Sequence, residues 1–179
     1  IRTSLDPMTA GPALPAEGDV LSGKYRIVRK LGSGVVFEAL DLTTDARVAV
    51  KLLRIDRSLE PERKARLLRE ACGAMRLRGP FVARVFDLDC TDDAQPVLVT
   101  ELLSGHDLGA ELSKVGKLPI GVAASYLVQA CAGVAEAQAL GLFHGDLKPT
   151  DLFLETGPEA ATVRVLDFGL AKLRGARTV

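Results

Sequence analysis

Tryptophan is absent from the 179 residues, and aromatic residues make up only 4% of them. Any core must therefore be aliphatic and rich in alanine. The three cysteines, Cys72, Cys90 and Cys131, lie far apart, without a CxxC pair. That excludes a disulfide framework or a zinc site and favours a reducing, cytoplasmic setting. Charge of one sign is not in excess, because 23 Lys+Arg balance 23 Asp+Glu. A general nucleic-acid or membrane-surface binder would carry a basic excess, so neither is expected. Hydrophobic residues reach 47%, which excludes a disordered chain. The length bounds the chain to one domain, or one and a fraction.

Residue 1 is Ile and the first methionine is Met8. Residues 1–7 are therefore expected to be a tag remnant, and Met8 to Asp19, rich in Pro, Gly and Ala, a flexible leader. No apolar core of a signal peptide follows. Alternation predicts strands over 25–31, 35–42 and 47–54. Pro61 opens a helix to about Arg76, with Leu67, Ala71 and Met75 on one face. Its Arg-rich faces read as solvated surface. Further strands are predicted near 82–88 and 97–102. Helical patterns dominate from Asp107 to Leu140, and short strands return near 152–154 and 163–166. The uncharged run Leu118 to Ala135 approaches a membrane span in length. Its Pro119, Gly121, Ser125, Gln129 and Gly133 favour a buried core helix instead. Strands with one helix, followed mostly by helices, predict an α+β fold of two unequal lobes joined near residues 101–104.

Four constellations carry the chemistry. Gly32-Ser33-Gly34 separates two strands, where glycines let backbone N–H groups approach phosphates; a plain hairpin uses the same residues. Lys51 lies on the third strand and Glu70 on the Arg-rich helix. A buried Lys needs a carboxylate partner, although taken alone Lys51 reads as a snorkelling surface side chain. In the loop His144-Gly145-Asp146-Leu147-Lys148-Pro149-Thr150-Asp151, Asp146 suits proton acceptance and Lys148 neutralisation of a phosphoryl group. Asp151 in that loop suits metal binding. His144 reads as a residue bracing its own loop. Asp167-Phe168-Gly169 places a carboxylate at a strand end, suited to Mg²⁺.

In this order the motifs resemble the protein-kinase signature set, from about Val20 to Leu173. GKYRIVRKLGSG, HGDLKPTD and DFGLAKL are similar to the Ser/Thr protein kinases of bacteria. The resemblance implies a protein-kinase-like fold. Its N-lobe with hinge (20–103) would hold a five-stranded antiparallel sheet and one helix. An incomplete, mainly helical C-lobe (104–179) would end in the activation segment. It implies ATP as ligand and Mg²⁺ as cofactor. Gly32 and Gly34 correspond to the phosphate-covering loop, Lys51 to the lysine on the α/β-phosphates, and Glu70 to its helix partner. Thr100 falls at the gatekeeper position, with Glu101 to Leu103 as the hinge that binds adenine. Leu31, Ala39, Ala49 and Phe153 would sandwich the ring. Asp146 corresponds to the catalytic base, Lys148 to the lysine near the γ-phosphate, and Asp151 and Asp167 to the metal ligands.

The departures from the family pattern point to altered activity. Phe37 stands where a third glycine is usual, and Ala39 replaces a valine. Gly145 replaces the arginine that grips a phosphorylated activation loop. Asp151 replaces an asparagine and adds charge near the transferring phosphate. No APE motif follows. The expected function is a kinase-like ATP-binding domain working as a pseudokinase or regulatory module with weak or no transfer. The alternatives are an active Ser/Thr protein kinase with a protein substrate, or a small-molecule phosphotransferase of the aminoglycoside type, suggested by HGDL. The apolar helix over 118–140 is expected to be covered by a second copy, a protein partner or further chain.

Overall fold

The computed structural model describes residues 14–32, 34–53, 72–91, 95–157 and 160–168, with 62, 65 and 68 singly between. Nine strands occur among them: β1 (Val20–Leu21), β2 (Tyr25–Leu31), β3 (Val36–Asp41), β4 (Arg47–Leu52), β5 (Val85–Cys90), β6 (Pro96–Glu101), β7 (Gly105–Asp107), β8 (Leu152–Glu155) and β9 (Thr162–Val165). The helices are α1 (Leu108–Val115) and α2 (Ile120–Ala139). Of the helix predicted over 61–76, Glu62, Ala65, Leu68, Cys72 and Gly73 are helical and Ala74–Arg76 forms a 3-10 turn. Its remaining residues, Glu70 included, lie outside the described residues.

The first six strands form one antiparallel sheet in the order β1-β2-β3-β4-β6-β5. The five strands expected from the sequence are all present, and the two-residue β1 extends the β2 edge. Period-two alternation divides the sheet into two faces. On one face Tyr25, Ile27, Phe37, Ala39, Val48, Val50, Val97 and Val99 pack as a mainly aliphatic core with two aromatic rings. The register Phe37↔Val50, Glu38↔Ala49, Ala39↔Val48 and Val36↔Lys51 sends Val36, Glu38, Ala49 and Lys51 to the opposite face. That second face turns toward the rest of the molecule.

Strands β7, β8 and β9 make a second antiparallel sheet. Strand β7 falls where the sequence predicts the onset of helix, because Gly105-His106-Asp107 carries no strand signal of its own and is held by pairing with β8. Asp107 then caps α1, its carboxylate accepting from Ala110 N at 2.8 Å. Such a cap contributes about 1 kcal/mol. Leu77, Val82, Leu108, Ala130, Ala137, Leu152, Leu154, Val163, Val165 and Phe168 belong to one core under this sheet.

Helix α2 follows Pro119 and contacts β9. Its buried stripe is Ala130, Gly133 and Ala137. A Cβ at Gly133 would stand 2.6 Å from Phe81 O, so only glycine allows this approach. The expectation of a buried core helix therefore holds for one stripe. Ile120, Leu127 and Val128 on the other faces are exposed at 89%, 59% and 70%. By length and hydropathy alone the helix could cross a membrane.

Candidate functional site: a cleft between the two sheets

The cleft face of the large sheet and the edge of the small one enclose a cavity of about 670 Å³. Leu31, Val36 and Ala49 line it from the strands β2 to β4, and Phe153 from β8. Leu98, Thr100, Glu101, Leu102 and Leu103 line its inner wall. This is an apolar slot of a size that takes a drug-sized or nucleotide-sized ligand.

Charge is concentrated where Lys51 and Asp167 meet. Both line the cleft, and Lys51 Nζ forms an ion pair and hydrogen bond with Asp167 Oδ2. Their side chains are only 19% and 12% exposed. The snorkelling reading of Lys51 thus gives way to a half-buried charge with a carboxylate partner. Asp167 sits at φ +62, in the left-handed region that non-glycine residues seldom adopt. Such backbone costs on the order of 1–3 kcal/mol and clusters at functional sites. Phe168 behind it is buried, and the His144 ring meets its edge at 5.3 Å.

The loop before β8 divides into an exposed and a buried part. Asp146 and Lys148 are exposed and pair with each other, Nζ to Oδ2 at 3.1 Å. Neither lines the cleft. Asp151 is 3% exposed, and its Oδ2 accepts from Lys148 N at 3.2 Å. Burial pushes the Asp151 carboxyl up, opposed by the charges of Lys148 and His144 and reinforced by that of Asp167. His144 donates from Nε2 to Leu166 O at 2.9 Å, bracing the loop as the sequence suggests. Gly145 takes φ +80, a conformation in which glycine is at ease and a side chain is not.

Asp151 and Asp167 are close enough to influence each other electrostatically. Two hard carboxylates that repel one another suit a divalent cation such as Mg²⁺, which takes oxygen ligands and keeps several waters. Among the described residues no group of three or more metal-ligating side chains occurs.

Gly32 lines the cleft; Gly34 does not. Glu101 also lines the cleft, but its carboxylate is engaged elsewhere. Its Oε1 accepts from Arg84 N at 2.7 Å and from Arg164, so the side chain ties the hinge to β5's approach and to β9. Ala39 is corrected. It is fully buried on the far face of the sheet, opposite Ile27 and Val48, because the register gives the cleft side to Val36 and Glu38. Phe37 is 1% exposed in the same far core, so the bulky side chain fills the sheet rather than crowding the phosphate loop.

Sequence reasoning missed Arg29, Glu38 and Arg164. Arg29 lines the cleft and pairs with Glu38, Nη2 to Oε2 at 2.7 Å. Glu38 is only 2% exposed and also holds Arg47. A lone acid inside Val36-Phe37-Glu38-Ala39 was the available signal; a buried carboxylate requires charged partners.

A two-lobed cleft with a lysine–aspartate pair and an Asp-containing catalytic-type loop defines a phosphotransferase-like class of site. The protein kinase domain family matches residues 25–178. The chain belongs to the protein kinase family. It is 36% identical over 161 residues to the serine/threonine-protein kinase Pkn1 of Myxococcus xanthus, covering 88% of this chain and 23% of that protein. It is 34% identical over 172 residues to the serine/threonine-protein kinase PknA of Mycobacterium tuberculosis, covering 92% of this chain and 39% of that protein. Among solved structures, the kinase domain of Mycobacterium tuberculosis PknI, in a mutant form, superposes with a TM-score of 0.78 at 25% identity. That match covers 88% of this chain and 63% of the PknI chain. The chain thus spans well under half the length of the curated relatives. Family membership sets the small-molecule phosphotransferase reading aside.

Proposed function

We propose that this chain is an ATP-binding, kinase-like domain that acts chiefly as a regulatory or interaction module, with phosphoryl transfer weak or absent. The supporting observation for nucleotide is the cleft itself, an apolar slot that ends in the Lys51–Asp167 pair. The slot suits a purine and Lys51 suits phosphate oxygens. Mg²⁺, when bound at Asp151 and Asp167, would neutralise phosphate charge. The supporting observation for weak transfer is Asp151. Its carboxyl is buried beside Asp167 and raised by that burial. As a carboxylate rather than an amide, it adds negative charge beside the phosphates. Gly145 also leaves no guanidinium to order a phosphorylated segment.

A second reading, an active Ser/Thr kinase acting on protein, is favoured by the Asp146–Lys148 pair. In that reading Asp146 takes the proton of the attacking hydroxyl and Lys148 steadies the γ-phosphoryl. The test is transfer of labelled γ-phosphate from Mg-ATP to the chain itself and to a generic basic protein, beside Asp146→Asn. We expect binding of Mg-ATP with transfer no greater than in the control. Robust transfer that disappears in Asp146→Asn would establish the second reading.

A further inference from the structure

The cleft roof is not uniformly apolar. Register places Arg29 and Leu31 of β2, Val36 and Glu38 of β3, and Ala49 and Lys51 of β4 on one face of the sheet. Glu38 stands directly opposite Ala49, which lines the slot. Arg29 stands opposite Glu38 on the other side, and the carboxylate, 2% exposed, carries two guanidinium partners, Arg29 and Arg47. Hydrogen bonding to Arg47, and the charge and hydrogen bond of Arg29, hold its carboxyl below the usual range, so it is ionised. The consequence falls on Arg29. Its side chain is 64% exposed and is tethered by the 2.7 Å bond to Glu38, while the residue lines the cleft two positions before Leu31. A guanidinium tethered at the exposed rim of an apolar slot is suited to stacking on an aromatic ring that enters it.

Resting on the reading that the cleft takes a nucleotide, we propose that Arg29 forms the outer part of the roof over a purine base, and that the buried Glu38 is the positioning residue that holds it there. The partner is the base, not the phosphates, because Arg29 lies on the Ala49–Leu31 part of the roof and Lys51 with Asp167 supplies the charged end. Arg47 also binds Glu38 but does not line the cleft.

The experiment is calorimetric titration of the whole chain with adenosine, Mg-ATP and inorganic tripolyphosphate. Arg29→Ala and Glu38→Gln are expected to weaken adenosine and Mg-ATP by the same factor, roughly 3- to 10-fold, and to leave tripolyphosphate unchanged. In the Arg29→Ala background, Glu38→Gln should add no further loss, which a merely structural carboxylate would not obey. Should Glu38→Gln fail to fold, Arg29→Ala and Arg29→Lys carry the test, with the lysine recovering only part of the affinity. Loss confined to Mg-ATP and tripolyphosphate would make Arg29 a phosphate ligand and overturn the proposal. Unchanged adenosine binding in Arg29→Ala overturns it as well, while leaving the nucleotide reading intact. A wild-type chain that binds neither adenosine nor Mg-ATP overturns both.

Discussion

Lys51 is a strand residue with a short apolar context, and its role follows from where its ammonium ends, at Asp167 in the cleft. A hydrogen bond between charged groups contributes about 1.5–3 kcal/mol. Lys51→Met is therefore expected to weaken Mg-ATP about 10- to 100-fold in a titration, with the fold retained by circular dichroism. Asp151 and Glu38 are both buried carboxylates and titrate in opposite directions. The Asp151 carboxyl lies above its ordinary 3.8 in the folded chain. Stability from this group falls as pH rises through that raised range, because the fold holds the proton more tightly than the unfolded chain does. Asp151→Asn removes the penalty. Melting at pH 7 without divalent cation should rise by about 2–4 °C, and Mg²⁺ should then stabilise the variant less than the wild type. The Glu38 carboxyl lies below its ordinary 4.5, with the Arg47 hydrogen bond as the main cause. Its contribution is present above pH 4.5 and is lost as pH falls through the lowered value. Glu38→Gln should therefore flatten the acid limb of a stability–pH curve.

At the scale of elements, two close approaches hold the smaller sheet and its helix in place. Gly105 opens β7 at φ +145, and a Cβ there would meet Leu154 O at 2.0 Å. Gly133 lets α2 lie on the Phe81 carbonyl. Backbone atoms cannot yield as side-chain tips do, so either glycine to alanine should cost roughly 1–3 kcal/mol. Chemical denaturation of Gly105→Ala and Gly133→Ala checks this, and an unchanged midpoint would contradict the packing. Strands β2 and β4 were readable because one face of each is buried and alternation follows from the pleat, and β6 as a short apolar run buried on both faces. Strand β7 was not, since its three residues owe their conformation to a partner that arrives nearly fifty residues later in the chain.

For the molecule as a whole, the exposed face of α2 dominates. Ile120, Leu127 and Val128 form apolar surface that water meets directly. Patches of this kind associate with other surfaces. The isolated chain is expected to bind a hydrophobic dye and to self-associate with rising concentration, and Leu127→Glu with Val128→Glu should reduce both, as dye titration and sedimentation would record. The family and the kinase-like fold were legible from the sequence. Each depends on local periodicity or on residue types at short spacing, which the chain carries on its face. The wall of the cleft was decided only in three dimensions. The pairing of β3 with β4 determined that Ala39 and Phe37 join the far core and that Val36 and Glu38 take the cleft side. Since side chains alternate along a strand, a register shift of one residue reverses every such assignment. Register is fixed by the two cores competing to bury their apolar faces across the whole sheet, and no single segment contains that information.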